Sequence, residues 1–228
     1  MGPGDAIRGA LRYWERRQAA LSNNLANAAT DGFKGERVFG RLLEDMTLRA
    51  ASRTDAQPGA LAQTGRALDV ALTGRGYLVV STPDGLRYTR SGSLSVDDAG
   101  RLTDARGNPV LGDSGPIVLP RGAVEVTQDG AIRVDGEEVA RFRIEVPGGG
   151  TRLERRDGLY FVPDGAGRRL PQDEIAMKGG HLEQSNVDPV GALVELLDIQ
   201  RAYSATLRTA QVLDGVMETT ARDLGRVR

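Results

Sequence analysis

The string Gly112-Asp113-Ser114-Gly115-Pro116 has the residue types of a serine nucleophile loop, a hydroxyl between small residues with a carboxylate beside it. Acyl transfer at such a serine needs a base to take its proton and an acid to orient that base. The chain holds one histidine, His181, which is therefore the sole candidate base. It follows the serine in the chain and sits beside a helix-start signal, the reverse of the order in the proteases whose loop this string resembles. Pro116 also occupies the place where a G-x-S-x-G elbow carries its last glycine. A Gly/Pro/Asp turn between strands is the simpler reading, and no catalytic residue is assigned.

The other reactive-looking groups reduce in the same way. One histidine and no cysteine exclude a multi-histidine metal centre, a thiolate site and a disulfide within the chain. Gly74-Arg75-Gly76 leads into a strand pattern instead of a helix, which argues against a phosphate loop. Asp97-Asp98 and Glu137-Glu138 read as acids in hairpin turns, with too few oxygen ligands for Ca²⁺. Arg152, Arg155, Arg156, Arg168 and Arg169 form a locally basic section, read as a solvated face able to meet an acidic neighbour. No cofactor is expected. With 30 Lys+Arg against 31 Asp+Glu, the chain has no global pull toward nucleic acid or an anionic membrane. Asp5, Arg8, Arg12, Glu15, Arg16 and Arg17 break every apolar run near the start, so neither a secretory signal nor a membrane-inserting segment is expected.

Strong patterns lie at the two ends. Ile7, Leu11, Trp14, Leu21, Leu25 and Ala28 follow heptad spacing broken only at Gln18, which predicts an amphipathic helix ending near Asn27. Thr30-Asp31-Gly32 then offers turn chemistry with a left-handed glycine cap. At the other end Ser185-Asn186-Val187-Asp188-Pro189 is a helix start. From there Leu196, Ile199, Tyr203, Thr206, Ala210, Leu213, Met217, Thr220 and Leu224 alternate steps of three and four, giving a helix roughly 50 Å long. A stripe this thin needs a partner, either the shorter N-terminal helix in a coiled coil or neighbouring copies of the chain.

Between the ends, short alternating runs recur at about ten-residue spacing: Leu68–Leu72, Gly76–Val80, Arg87–Arg90, Leu94–Val96, Arg101–Thr103, Val124–Thr127, Ala131–Val134, Arg141–Val146 and Leu159–Val162. Pro83-Asp84-Gly85, Gly107-Asn108-Pro109, Gln128-Asp129-Gly130 and Pro147-Gly148-Gly149-Gly150 punctuate them. These runs predict an antiparallel sandwich or barrel-like β domain over residues 65–184. Residues 35–64 are expected to form a connecting arm, partly helical around Leu42–Leu48. Residues 1–34 and 185–228 are expected to form a helical assembly domain.

Several ordered strings resemble the flagellar basal-body rod and hook family. Leu21-Ser22-Asn23-Asn24-Leu25-Ala26-Asn27 running into Thr30-Asp31-Gly32-Phe33-Lys34 is similar to that family's Asn-rich helix end and Thr-x-Gly-aromatic turn. Thr64-Gly65-Arg66-Ala67-Leu68-Asp69-Val70-Ala71 through Gly76-Tyr77-Leu78-Val79-Val80, then Tyr88-Thr89-Arg90-Ser91-Gly92, resemble the opening of its β domain. Gly180–Asp188 and Gln200-Arg201-Ala202-Tyr203 resemble its C-terminal motif. Gly115–Pro120 looks like the proximal rod type and Gln200–Tyr203 like the distal type, while Tyr77-Leu78 departs from the usual double aromatic.

The resemblance implies a non-enzymatic subunit of the torque-transmitting rod. It implies assembly with its own copies and other rod or hook subunits, through Ile7, Leu11, Trp14, Leu21, Leu25, Leu196, Ile199, Tyr203, Leu213, Met217 and Leu224. Asn23, Asn24, Asn27, Gly32 and Phe33 would form the motif turn. It further implies export by the flagellar type III apparatus without a cleaved signal, a place in the periplasmic part of the basal body, and contact with surrounding ring (bushing) proteins. A scaffold or cap of the same fold is the alternative.

Overall fold

Pro3 opens helix α1 (Pro3–Ala26), where its missing N–H costs no hydrogen bond and its fixed φ suits the first turn. Asp5 stands in that first turn, against the positive end of the helix. The computed structural model describes residues 3–42, 48–148, 153–156, 158–163, 165 and 167–225. The helix ends at Ala26, and the Thr30 amide then donates to the Asn27 carbonyl at 3.0 Å. Gly32 is left-handed, with φ 70°, but it shapes the following turn and does not cap the helix.

Strands β1 (Glu36–Leu42) and β2 (Leu48–Thr54) pair antiparallel in unbroken register, from Glu36 opposite Thr54 to Leu42 opposite Leu48. The arm expected to be partly helical around Leu42–Leu48 is thus extended at both of those residues; positions 43–47 of that expectation lie outside the described residues. The hairpin runs along α1. The Asn24 side chain accepts from the Glu36 amide and donates to the Glu36 carbonyl, both at 2.8 Å, so it pairs with the start of β1 as another strand would. Further along, a Cβ built on Gly9 would lie 3.3 Å from the Leu48 carbonyl, so helix and strand approach closely there.

Helix α2 (Pro189–Gly225) begins where expected, with the Asp188 carboxylate accepting from the Val190 amide at 3.0 Å. It lies antiparallel to α1, because Arg17 meets Glu195 at one level and Glu15 meets the Tyr203 hydroxyl farther along. The two helices and the hairpin form one compact unit, here the helical unit. Segments Asn27–Gly35 and Ala56–Val187 form the other, the β unit.

Among the described residues, the strand pairs of the β unit are antiparallel. Its largest sheet has six strands in the order Leu153–Arg156, Tyr160–Pro163, Gly85–Thr89, Tyr77–Thr82, Ile144–Val146 and Arg168–Arg169. A three-stranded sheet holds Val124–Val126, Ala131–Val134 and Glu137–Arg141. The strand Tyr77–Thr82 explains the dense Tyr-Leu-Val-Val run. Leu78 and Val80 enter the main core with Leu102, Ile132 and Phe142, while Tyr77 and Val79 enter a second core with Tyr88 and Phe161. Alternate residues point to opposite faces, so a strand covered on both sides carries no polar alternation.

Glu137 and Glu138, expected in a turn, belong to the strand Glu137–Arg141. The turn is Asp135-Gly136, with φ 54° and 87°, a pair of left-handed residues that suits the twist of a two-residue hairpin.

Candidate assembly surfaces

In the helical unit, α1 and α2 pack against each other, and the predicted stripe residues differ in how far they are buried. Leu21 and Ile199 are buried, and Ile7, Leu11, Trp14, Leu25, Leu196, Tyr203 and Leu213 are half-buried. Met217 is 61% exposed; the side chain of Leu224 lies outside the described residues. The seam is fastened by Arg17, whose Nε and Nη2 both donate to Glu195 Oε1, at 2.9 and 2.5 Å. The pair is partly solvated, so it orients the helices more than it stabilises them.

Heptad reading missed a second apolar row on α2. Val190, Leu193, Val194 and Leu197 are 70%, 49%, 56% and 55% exposed, on residues the a/d stripe left out. Their steps of three and four put them on one side of the helix, a signal present in the sequence but hidden by reading a single stripe.

In the β unit, the motif turn is fixed by backbone geometry and by a buried ion cluster. The Gly32 amide donates to the Glu183 carbonyl at 2.6 Å, and a Cβ at Gly32 would fall 2.4 Å from the carbonyl carbon of Arg90. Only glycine combines that approach with a left-handed φ. Gly32→Ala is expected to destabilise the β unit by about 2–3 kcal/mol, the strain of a left-handed residue plus overpacking. Denaturant unfolding of the variant checks it; an unchanged midpoint contradicts it.

Phe33 is fully buried, and the Arg155 guanidinium lies over its ring at 4.4 Å and over Phe161 at 5.3 Å. Arg155 is therefore not part of a solvated basic face; it is a packing element that also donates to the Lys34 carbonyl. Arg156, Arg168 and Arg169 are exposed as expected, and Arg152 lies outside the described residues.

Lys34 is buried, and its ammonium lies 2.5 Å from Glu183 Oε1 while donating to the Gln57 carbonyl at 2.8 Å. The same carboxylate oxygen accepts from the Gly59 amide at 3.0 Å. Glu183 Oε2 has no hydrogen bond, but Arg90 Nη1 lies 3.5 Å away, and Arg90 itself is held by the carbonyls of Leu72 and Gly74. Asn186 completes the arrangement, accepting from the Gly35 amide at 2.7 Å and donating to the Gln57 carbonyl at 2.9 Å. Four segments distant in sequence are thus tied at one point. Reading each charge as solvated could not find this cluster, because its members are far apart along the chain.

Of the remaining motif residues, Asn23 is exposed, and Asn27 supplies the carbonyl that closes the turn. Asp31 sits above the ordinary carboxyl range, chiefly through burial and then through the negative charge of Asp69. A raised carboxyl binds more protons folded than unfolded, so stability falls as pH climbs from the ordinary carboxyl range through the raised one. Asp31→Asn is expected to remove that slope and to raise the midpoint slightly at neutral pH, as thermal unfolding across pH would show.

The hydrolase-like residues form no comparable site. His181 lies in the strand His181–Glu183 with Nδ1 2.9 Å from the Gly179 carbonyl oxygen, and Ser114 occupies a turn between two-residue strands. Among the described residues no group of three or more His, Asp and Glu is placed to hold a metal ion. No described helix is long and apolar enough to cross a membrane.

Residues 8–34 match the family described as "Flagella basal body rod protein", residues 71–134 the "Flagellar hook protein FlgE/F/G D1 domain", and residues 178–223 the "Flagellar basal body rod FlgEFG protein C-terminal". The first and last matches cover the motif turn and most of α2. The flagellar basal-body rod protein FlgF of Salmonella typhimurium is 35% identical, covering 90% of this chain and 91% of the relative. FlgF of Escherichia coli is 34% identical over the same shares. The flagellar basal-body rod protein FlgG of Bacillus subtilis is 26% identical, covering 91% of this chain and 93% of its own. Near full-length similarity, with family matches at both termini and in the β unit, places the chain in the flagellar basal-body rod protein family, as a structural subunit of the rod.

Proposed function

We propose that the chain polymerises through its terminal helices, packed as a coiled coil, into the torque-transmitting axial shaft. The observation that carries this is the second apolar row on α2. A helix that already turns one stripe to its partner keeps Val190, Leu193, Val194 and Leu197 for another molecule. Ile7, Leu11, Trp14, Leu21, Leu25, Leu196, Ile199, Tyr203 and Leu213 then hold the helix pair together, and Met217 faces outward for assembly. The chain has no catalytic role in this reading. Its 35% and 34% identity to FlgF relatives, against 26% to an FlgG relative, supports the FlgF-type position among rod subunits. Export through the flagellar type III apparatus, a periplasmic rod location, and bushing proteins around the shaft complete the reading; they rest on kinship with rod proteins.

The test compares the native chain with Val194→Asp/Leu197→Asp by electron microscopy, alone and on isolated rod tips. Both positions are exposed, so circular dichroism should be unchanged. Ordered tubes or added rod length from the native chain, and none from the variant, is the expected result. Assembly that ignores the two aspartates refutes the second row as the polymerising surface. A chain that caps tips without extending them supports a scaffold instead.

A further inference from the structure

We propose that the groove between α1 and the β1–β2 hairpin receives the distal end of α2 from a second copy of this chain. This inference rests on the rod reading and names the partner surface that reading lacks. The groove has a volume of about 1110 Å³. Ala19, Ala20 and Ala50 line it beside Gly9 and Leu48, and the three alanines keep its walls low enough for a helix to approach. Arg12 and Arg16, four residues apart on α1, and Arg49 on β2 also line it, and none of these three has an ion-pair partner among the described residues. Of its three carboxylates, Asp5 pairs with Arg8, Glu15 accepts from the Tyr203 hydroxyl, and Glu36 also lines it, so four arginines stand against three acids. The groove is therefore a trough with a small excess of positive charge, concentrated at Arg12, Arg16 and Arg49.

The distal part of α2 has the complementary character. Every side chain from Asp214 to Thr220 is exposed. Asp214, Met217 and Glu218 follow the i, i+3, i+4 pattern, so one face presents a 61% exposed methionine between two acids. Asp214 and Glu218 are four residues apart, the spacing of Arg12 and Arg16, and four residues rise about 6 Å on any α-helix. The Glu218–Arg222 pair within the tail is solvent-exposed and easily exchanged.

The tail cannot serve its own groove, because α2 is one continuous helix through Gly225 and does not fold back. The occupant is a second molecule. Groove and tail are different surfaces, so each added copy offers a fresh tail and a fresh groove, which makes the contact head-to-tail and open-ended.

The test uses full-length chains with reversed charges. Arg12→Glu/Arg16→Glu and Asp214→Arg/Glu218→Arg are each expected to weaken self-association, read by sedimentation, by about tenfold or more. The chain carrying all four changes is expected to recover most of it, as is an equal mixture of the two double variants. Because the sequence has no cysteine, Ala19→Cys in one tagged copy and Met217→Cys in another supply a second readout. Oxidation should join them, and should not join Met217→Cys to Leu86→Cys in the β unit. Association that is indifferent to charge reversal, failure of the fourfold chain to recover, or cross-linking no better than the control each overturns the proposal. If ordered assemblies still form under those outcomes and remain sensitive to Val194→Asp/Leu197→Asp, the rod reading stands while this docking site falls.

Discussion

Replacing Glu183 by leucine is expected to lower the unfolding free energy of the β unit by about 3–5 kcal/mol, and replacing Lys34 by methionine by distinctly less. The reason lies in what each change leaves behind. Without the carboxylate, the buried Lys34 ammonium loses the opposite charge that lies 2.5 Å from it. Without the ammonium, Glu183 still has Arg90 at 3.5 Å and the Gly59 amide at 3.0 Å. An uncompensated charge in a dry interior costs more than a compensated one. The double variant Lys34→Met/Glu183→Leu, which leaves no orphan between the two, should recover much of the loss. Guanidinium unfolding followed by the near-ultraviolet signal of the tyrosine core measures all three. Equal losses for the two single variants, or a double variant worse than their sum, would remove the buried pair from the account.

Phe33→Ala should cost a similar amount, about 3–5 kcal/mol, as expected for emptying the site of a fully buried aromatic ring. The ring also supplies one of the two faces that hold the Arg155 guanidinium, and a cation over a desolvated ring contributes roughly 1–2 kcal/mol. Arg155→Ala should therefore lose less than Phe33→Ala, and the double variant less than the sum, since both remove one shared contact. Strict additivity in the same unfolding experiment contradicts the stacked geometry.

The terminal helices were legible because a long helix repeats its signal many times. Leu11, Trp14, Leu21 and Leu25, or Leu196, Ile199, Tyr203 and Leu213, each restate the same periodicity. The helix start at Asp188-Pro189 was equally plain, being a local matter of one carboxylate and one amide. The hairpin was not legible. Glu36–Leu42 and Leu48–Thr54 mix charged and apolar residues without alternation, because β2 lies along a helix and its side chains end half-buried on no regular period. The motif turn was visible as a string, but its cause was not. Lys34 and Glu183 are 149 residues apart, and a single sequence gives no reason to bring two charged residues together inside a core. Arg155 misled for the same reason, since an arginine among arginines reads as surface until two aromatic rings are found beneath it.

The Gly35–Asn186 hydrogen bond has a consequence for the order in which the chain folds. Its partners are 151 residues apart, and closing a flexible loop of that length costs about 4–5 kcal/mol in chain entropy. Arg17 and Glu195, across the helix seam, are 178 apart and would meet a comparable cost if the helices had to find each other unaided. Once the β unit has closed, the roots of both helices are already neighbours, and the loop left to close is only a few tens of residues. That recovers about 2 kcal/mol of the search. On loop-closure entropy alone the helical unit is expected to form after the β unit, so its rate of formation, followed in refolding, should track the stability of the β unit more closely than the strength of its own seam.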